Sequence, residues 1–135
     1  MFTDKIKITF LGTGTSQGVP VIACNCEVCT SHNPYDKRLR TSILVESSTT
    51  TIVIDAGPDF RQQLLKNKVD KLDAVIFTHE HKDHIAGLDD VRAFNYVQKK
   101  AIPVYATDRV VNALKREYAY IFDNNQYPGI PQIEI

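Results

Sequence analysis

Apolar and polar residues alternate in the first part of the chain, a pattern typical of strands with one covered face. Residues 5–11 predict a first strand. Two β-rich runs at 42–47 and 50–54 predict a hairpin, because only a short polar break separates them. Residues 73–77 form a continuous apolar run, as expected for a strand that is covered on both faces. Residues 103–106 predict one more strand of the same sheet.

Helical periodicity appears between and after these strands. A short helix is predicted from residue 59 to about 66, and a second follows with apolar residues about three apart, at Ile85, Leu88, Val91 and Phe94. Asp108 is placed to cap a final helix. The apolar face of that helix would consist of Val111, Leu114, Tyr118 and Ile121. With a β-like end at 132–135, this order predicts an α/β (α+β) fold, a mixed sheet with helices on one face.

The composition fits one globular domain without an electrostatic bias toward polyanions. The 135 residues are the size of one domain, and 43% of them are hydrophobic, enough for a core. Sixteen basic residues match sixteen acidic ones, so nucleic acid is a disfavoured partner. No apolar run approaches the roughly 20 residues of a membrane span, and residues 1–5 lack the apolar core of a secretory signal. We therefore expect a cytoplasmic protein with no membrane partner.

The densest group of candidate ligands is the segment His79-Glu80-His81-Lys82-Asp83-His84, which follows the buried strand. Imidazole and carboxylate are ligands for zinc and similar divalent ions. Alternate residues of an extended segment point the same way, so His79 and His81 can share one ion while Asp83 and His84 face another. Two neighbouring ions can bridge a water molecule and lower its pKa, which is a common basis of hydrolysis. The alternative is a solvent-exposed histidine cluster on a polar loop.

Residues 78–88 resemble the THxHxDHxxGL signature of the metallo-β-lactamase superfamily. The resemblance implies that His79 and His81 bind the first ion, and that Asp83 and His84 bind the second. Asp83 would also orient the nucleophile, which makes it the candidate catalytic residue. The family fold is an αββα sandwich of two similar halves, and the resemblance covers the first half only. Residues 1–135 are therefore interpreted as the N-terminal portion of such a domain.

A second segment, Val-Ile-Asp-Ala-Gly at 53–57, resembles an earlier motif of the same family. In the family this aspartate braces the metal loop through hydrogen bonds and does not itself bind metal. The resemblance therefore gives Asp55 the role of holding the ligands in place, a role that strongly affects metal affinity. The alternative is an ordinary turn-forming aspartate at the end of a strand.

Three cysteines are crowded into a CxCxxC cluster at Cys24, Cys26 and Cys29, which suits metal binding better than a disulfide framework. A structural zinc site needs four ligands, and His32 is the only local nitrogen candidate. Reduced, unliganded thiols are the alternative. With the glycine-rich run at 10–20, the cluster resembles the branch that includes the phosphoribosyl cyclic phosphate phosphodiesterase of the carbon–phosphorus lyase pathway. That resemblance implies a structural zinc on a loop insertion at 24–40, completed by a histidine near the C-terminus of the longer enzyme.

Several ligands that the family takes from its second half are missing from this sequence. No histidine follows His84, and neither Asp108 nor Asp123 lies in a recognisable later motif. We therefore expect the chain to be a truncated form of a longer hydrolase. The alternative, a second chain that completes the fold, is less favoured. A half-sandwich leaves one sheet face uncovered, so either a homodimer or the missing C-terminal half is expected to cover it.

The leading hypothesis for the parent protein is a metal-dependent phosphodiesterase that attacks a small or cyclic phosphate ester with a metal-bridging hydroxide. Zinc is expected at the structural site and at the catalytic site, where manganese is also suitable. Arg38 and Arg40 are candidate phosphate contacts, with a solvated loop as the alternative. Another hydrolase of this fold (a thioesterase, lactonase or tRNA-processing nuclease) and a non-catalytic, zinc-stabilised fragment stay open, because the fold does not fix the substrate.

Overall fold

A computed structural model of the chain describes residues 5–124 and 127–135, and these contain a six-stranded sheet. Its strands lie side by side in chain order: β1 Lys7–Gly12, β2 Ser42–Glu46, β3 Thr51–Ile54, β4 Ala74–Ile76, β5 Ile102–Tyr105 and β6 Ile133–Glu134. The first three strands pair antiparallel, and β3 to β6 pair parallel. The predicted hairpin and mixed sheet are confirmed.

Helices connect the parallel strands, as parallel pairing requires. They are α2 Phe60–Lys66 after β3, α3 Lys82–Ile85 and α4 Arg92–Gln98 after β4, and α5 Asp108–Glu117 and α6 Ala119–Phe122 after β5. One more helix, α1 Glu27–Thr30, lies in the cysteine loop between the antiparallel strands β1 and β2. There are also two 3-10 turns: Pro34–Asp36 lies between β1 and β2, and Leu88–Val91 lies between α3 and α4. Within the described ranges, no helix has the length and apolar character needed to cross a membrane.

The prediction of one continuous helix after the histidine motif is wrong. The segment consists of α3, then the 3-10 turn, then α4. Apolar residues three apart suit the three-residue repeat of a 3-10 turn better than the 3.6-residue repeat of an α-helix. Ile85, Leu88 and Val91 are all fully buried, so the predicted core positions are confirmed although the helix is interrupted.

The start of the final helix also differs from the prediction. Thr107, with φ −71° and ψ 158°, occupies the position before the first turn of α5, so Asp108 is not the cap. Asp108 lies in the first turn, where its negative charge interacts favourably with the helix dipole. The buried face of α5 contains Val110 where the sequence pattern had placed Val111, which is half-buried.

Helices cover one face of the sheet. Side chains that point to this face are almost fully buried, and they come from four adjacent strands: Leu44, Val53, Val75 and Val104. They belong to one core cluster with Phe60 of α2, Leu88 of the 3-10 turn and Leu114 of α5. This arrangement confirms the predicted sheet with helices on one face.

The opposite face of the sheet is apolar and open. Strand register places a row of large side chains across five strands: Phe10, Ile43, Ile54, Ile76 and Tyr105. Phe10 is 69% exposed and Tyr105 is 60% exposed. The chain by itself therefore leaves one sheet face uncovered, as expected for half of a sandwich. We call this row the open sheet face.

Candidate metal centre

The candidate site lies where three parallel strands end. The 55–57 loop follows β3, the histidine motif follows β4, and α5 follows β5 after a short connection. Parallel strands present their carboxyl ends at the same edge of a sheet, which is the usual position of sites in such sheets. The topology therefore brings together residues that are far apart in the sequence.

Three imidazole rings are gathered at this edge. The ring centroids of His79 and His81 are 4.6 Å apart, and those of His79 and His84 are 3.9 Å apart. One carboxylate oxygen of Asp83 lies 3.1 Å from Nε2 of His84. The structure thus brings all four predicted ligands into one group, in which His81 is the most open to solvent. Their assignment as metal ligands stays a prediction.

Asp55 connects this group through a buried carboxylate that is only 3% exposed as a residue. Its Oδ1 accepts the backbone N–H of Thr78 at 2.8 Å, and its Oδ2 accepts the Thr78 hydroxyl at 2.7 Å. The same Oδ2 lies 2.7 Å from Nδ1 of His84. The side chain is therefore placed as the bracing role requires, although that role in metal binding is still a prediction.

These hydrogen bonds assign the proton positions of two histidines. A carboxylate only accepts, so Nδ1 of His84 is the donor to Asp55. The Thr78 hydroxyl uses its proton on Asp55, so Nδ1 of His79, 3.0 Å away, donates to the hydroxyl oxygen. Each ring therefore uses Nδ1 for these hydrogen bonds and has Nε2 left for other partners; Nε2 of His84 lies 3.1 Å from the Asp83 carboxylate. Three imidazoles and a carboxylate with this outer support form a donor set that fits a divalent ion.

Close backbone contacts also join the 55–57 loop to α3. A Cβ atom on Gly57 would lie 2.0 Å from the carbonyl oxygen of Asp83, so only glycine allows this approach. The N–H of Gly87 donates to the carbonyl of Ala56 at 2.8 Å. The buried hydroxyl of Ser42 donates to the carbonyl of Asp55 at 2.8 Å. The sequence indicated the loop but not these contacts, for which a glycine inside a motif is the only signal.

The cysteine cluster is the more compact of the two candidate sites. The sulfur atoms of Cys24, Cys26 and Cys29 all lie within 4.8 Å of one another. Among the described residues no other group of three or more His, Cys, Asp or Glu ligand atoms is gathered within this distance, so the histidine motif is less compact than the cysteine cluster. The backbone N–H of Cys29 lowers the pKa of Cys26, which favours the thiolate that binds metal. His32 is exposed and lies outside this group, and the identity of a fourth ligand stays a prediction.

The two candidate phosphate contacts point to the glycine-rich loop. Arg40 pairs with Asp59 at 3.0 Å and donates from Nε to the carbonyl of Ser16 at 3.0 Å. Arg38 reaches the carbonyl of Thr13 at 3.5 Å. Both side chains therefore have partners within the fold, and a phosphate would have to compete with Asp59 for Arg40. Their contact with phosphate stays a prediction.

The fold and the edge site together define a class. A mixed sheet with helices on one face, and an HxHxDH segment after a parallel strand, is the arrangement of the first half of a metallo-β-lactamase-type domain. A family model described as the β-lactamase superfamily domain matches residues 50–135. The chain therefore belongs to the metallo-β-lactamase superfamily.

Similar proteins carry different names. The crystal structure of a diphosphatase of the PhnP family is 41% identical, with a TM-score of 0.85 over 96% of this chain and 49% of that one. Zinc-bound PqqB from Methylobacterium extorquens has a TM-score of 0.74 at 22% identity, over 96% of this chain and 45% of that one, which supports the fold alone. An octanoyltransferase of Porphyromonas gingivalis is 44% identical over 131 residues, which are 96% of this chain and 26% of that protein. The chain therefore spans about half, or less, of the proteins it resembles.

Proposed function

We propose that the chain forms the first half of a metal-dependent hydrolase of phosphate esters. The observation that carries the proposal is the group of His79, His81, Asp83 and His84 at the sheet edge. Asp55 binds Nδ1 of His84 directly and holds Nδ1 of His79 through Thr78, so Nε2 is the ring nitrogen left to bind metal. The diphosphatase of the PhnP family supports the substrate class, since it is 41% identical and similar over 96% of this chain.

In this proposal His79 and His81 hold one divalent ion, and Asp83 and His84 hold another. Bound zinc or manganese would supply an acidified water and neutralise charge on the phosphate. Asp83 orients the attacking water by accepting its hydrogen bond. Asp55 fixes the tautomers, because its carboxylate accepts a hydrogen bond from Nδ1–H of His84 and positions Thr78 beside His79. Cys24, Cys26 and Cys29 hold a separate structural zinc.

In this proposal a single C-terminal half supplies the metal ligands that this chain lacks and also covers the open sheet face. A C-terminal half of the length found in the diphosphatase would place a second sheet on the row from Phe10 to Tyr105 and supply further ligands from its loops. A homodimer would cover the same face but would only repeat the ligands already present. We therefore favour a longer active form over a homodimer, and a small phosphate ester as its substrate.

A thioester hydrolase is the second candidate function. It rests on the 44% identity to the octanoyltransferase of Porphyromonas gingivalis, a name that indicates acyl transfer. The matched segment is only 26% of that protein, so the activity in its name can belong to the other three quarters, which have no counterpart here. For this reason the phosphate ester stays the leading substrate class.

The two candidates are separated by one assay on a form extended to the length of the diphosphatase. The extended form is freed of metal, reloaded with zinc or manganese, and given bis(p-nitrophenyl) phosphate in one series and an octanoyl thioester in another. Metal-dependent hydrolysis of the phosphodiester supports the proposal, and hydrolysis of the thioester alone supports the second candidate. Hydrolysis of neither substrate by a metal-loaded, folded protein contradicts both.

A further inference from the structure

Glu80 and Lys82 alternate with the candidate ligands, and neither has a role in the proposed metal centre. Successive side chains of an extended backbone point to opposite sides, so Glu80 leaves the chain away from His79 and His81. His81 has φ −65° and ψ 148°, which is extended backbone. The side of the segment that faces away from the ligands is therefore available to fix it in place.

Both residues form ion pairs with α5, one at each end of that helix. Oε1 of Glu80 accepts Nε of Arg109 at 2.6 Å, and a second guanidinium nitrogen contacts the same oxygen. The ammonium of Lys82 donates to the carboxylate of Glu117. Arg109 lies in the first turn of α5 and Glu117 is its last residue, about 12 Å further along the helix axis. The pairs therefore hold the histidine segment at two separate points.

A third contact joins α5 to α3, the helix that contains Asp83 and His84. The hydroxyl of Tyr118, the residue after α5, donates to the carbonyl of Ile85 at 2.8 Å. The last carbonyls of a helix have no partner within the helix, and a four-residue helix is not stable alone. Tyr118 therefore supplies from outside a hydrogen bond that α3 cannot make for itself.

The helix that makes these contacts is anchored in the core. Val110, Ala113 and Leu114 of α5 are buried, and two of them belong to the main core cluster. By contrast, residues 77–81 form neither helix nor strand. Asp55 thus fixes this irregular segment on one side, and on the other side α5 fixes it through Glu80 and Lys82.

We propose that α5 is a support for the metal ligands, with Arg109 and Glu117 as positioning residues that hold Glu80 and Lys82. The inference rests on the proposed metal-binding function of the histidine motif. Because the helix acts on the residues between the ligands, its loss changes the geometry and the affinity of the metal centre, and it leaves the ligands themselves chemically intact.

The test is a cobalt titration of this chain, in the native sequence and as the double variant Arg109→Gln/Glu117→Gln. Cobalt bound by imidazole and carboxylate absorbs in the visible range, and cobalt bound by thiolate adds charge-transfer bands in the near ultraviolet. Because thiolate-bound cobalt also absorbs in the visible range, its visible contribution is scaled from its near-ultraviolet bands and subtracted, which leaves the bands of the histidine site. We expect a rise of about two- to tenfold in the Kd of the visible-band site, because ion pairs this exposed are individually weak and act on residues beside the ligands. The visible spectrum should change shape, and the thiolate bands should not.

A matched control is the ion pair of Lys7 and Glu46 between β1 and β2, with side chains 71% and 31% exposed. The pair of Lys82 and Glu117 is nearly the same, at 66% and 29%. Glu46→Gln should therefore change thermal stability about as much as Glu117→Gln, without changing the cobalt spectrum. The exchanged pair Lys82→Glu/Glu117→Lys, which leaves the Arg109–Glu80 pair intact, should recover the native spectrum that Glu117→Gln alone loses.

The outcomes separate the two proposals. If His79→Ala/His81→Ala titrates with the same visible bands as the native chain, the histidine motif is not a metal centre and the proposed function fails. If those bands are lost in that variant but are unchanged in Kd and shape in the double variant of α5, the metal centre stands and the support by α5 is refuted. Failure of the exchanged pair to recover the spectrum also contradicts it.

Discussion

Replacing Asp55 by asparagine tests the bracing network with the smallest change of shape. Asp55 has φ +64°, a left-handed conformation that asparagine adopts nearly as readily as aspartate. Backbone strain therefore stays constant and the hydrogen-bonding chemistry alone changes. One amide oxygen can still accept the N–H of Thr78, but the NH2 group replaces the oxygen that accepts from the Thr78 hydroxyl and from His84.

The size of the effect follows from those contacts. A hydrogen bond to a charged group contributes about 1.5 to 3 kcal/mol, and here the carboxylate is buried. In the variant the NH2 group faces Nδ1–H of His84, donor against donor, unless the proton moves to Nε2. That move removes the lone pair which the metal needs. We therefore expect metal affinity to fall about 10- to 100-fold, the range seen for partners of metal-binding histidines.

The assay is the visible cobalt titration of Asp55→Asn, with urea unfolding of the metal-free protein in parallel. Asp59→Asn is the matched control, since Asp59 is a half-buried carboxylate that pairs with Arg40 and has no contact with the motif among the described residues. The control should lose stability and keep its cobalt affinity. If Asp55→Asn binds cobalt as tightly as the native chain, the reasoning on proton positions is refuted.

Three further changes test other parts of the fold. Gly57→Ala should cost about 1 to 3 kcal/mol of stability and weaken metal binding, because its Cβ would lie 2.0 Å from the carbonyl oxygen of Asp83; thermal unfolding and the cobalt titration measure both. Phe10→Lys on the open sheet face should reduce self-association in sedimentation experiments without loss of monomer stability, because Phe10 is exposed. Partial burial disfavours the charged form of Asp73, but the ammonium of Lys71, 2.9 Å away, the backbone N–H of Thr51 and the charge of Lys100 together lower the pKa of Asp73 below 3.8. That stabilisation is present above the unfolded pKa and is lost as the pH falls through the folded pKa, so Asp73→Asn should flatten the fall in stability below about pH 4.

Each of these changes has a control or an outcome that contradicts it. A native melting temperature for Gly57→Ala would show that the 55–57 loop and α3 are not held in close contact. Tyr35→Lys, at an exposed aromatic residue outside the sheet, should leave self-association unchanged, and equal effects of Tyr35→Lys and Phe10→Lys would exclude the open sheet face as the cause. Asp70→Asn is the control for Asp73, and an equal effect of both variants on acid stability would contradict the role of the Lys71 pair.

The strands and the candidate ligands were predictable because their signals are local. The continuous apolar run of β4 reflects burial, whereas the apolar positions of the alternation in β1, Ile8 and Phe10, lie on the open sheet face and are 60% and 69% exposed. The histidine motif lies within six residues, so its spacing is visible without a fold. The open sheet face also followed from a local observation, the lack of histidines after His84.

The parts that were not predictable depend on contacts between distant residues. Arg109 meets Glu80 only because β4 and β5 are adjacent parallel strands, and no sequence pattern links the two. The interruption between α3 and α4 is a tertiary effect, since Gly87 packs against the 55–57 loop and ends the helix there. His32 was a candidate fourth zinc ligand because it is near the cysteines in sequence, and the structure does not gather it with the three sulfur atoms.

We propose that the histidine motif holds metal ions for phosphate ester hydrolysis. This proposal is tested most directly by bis(p-nitrophenyl) phosphate hydrolysis with the form extended to the length of the diphosphatase, measured before chelation, after chelation and after zinc or manganese is restored. Activity should be lost on chelation, return with metal, and be absent in His79→Ala/His81→Ala at every stage. Hydrolysis that survives chelation, or that persists in this double variant, would contradict it.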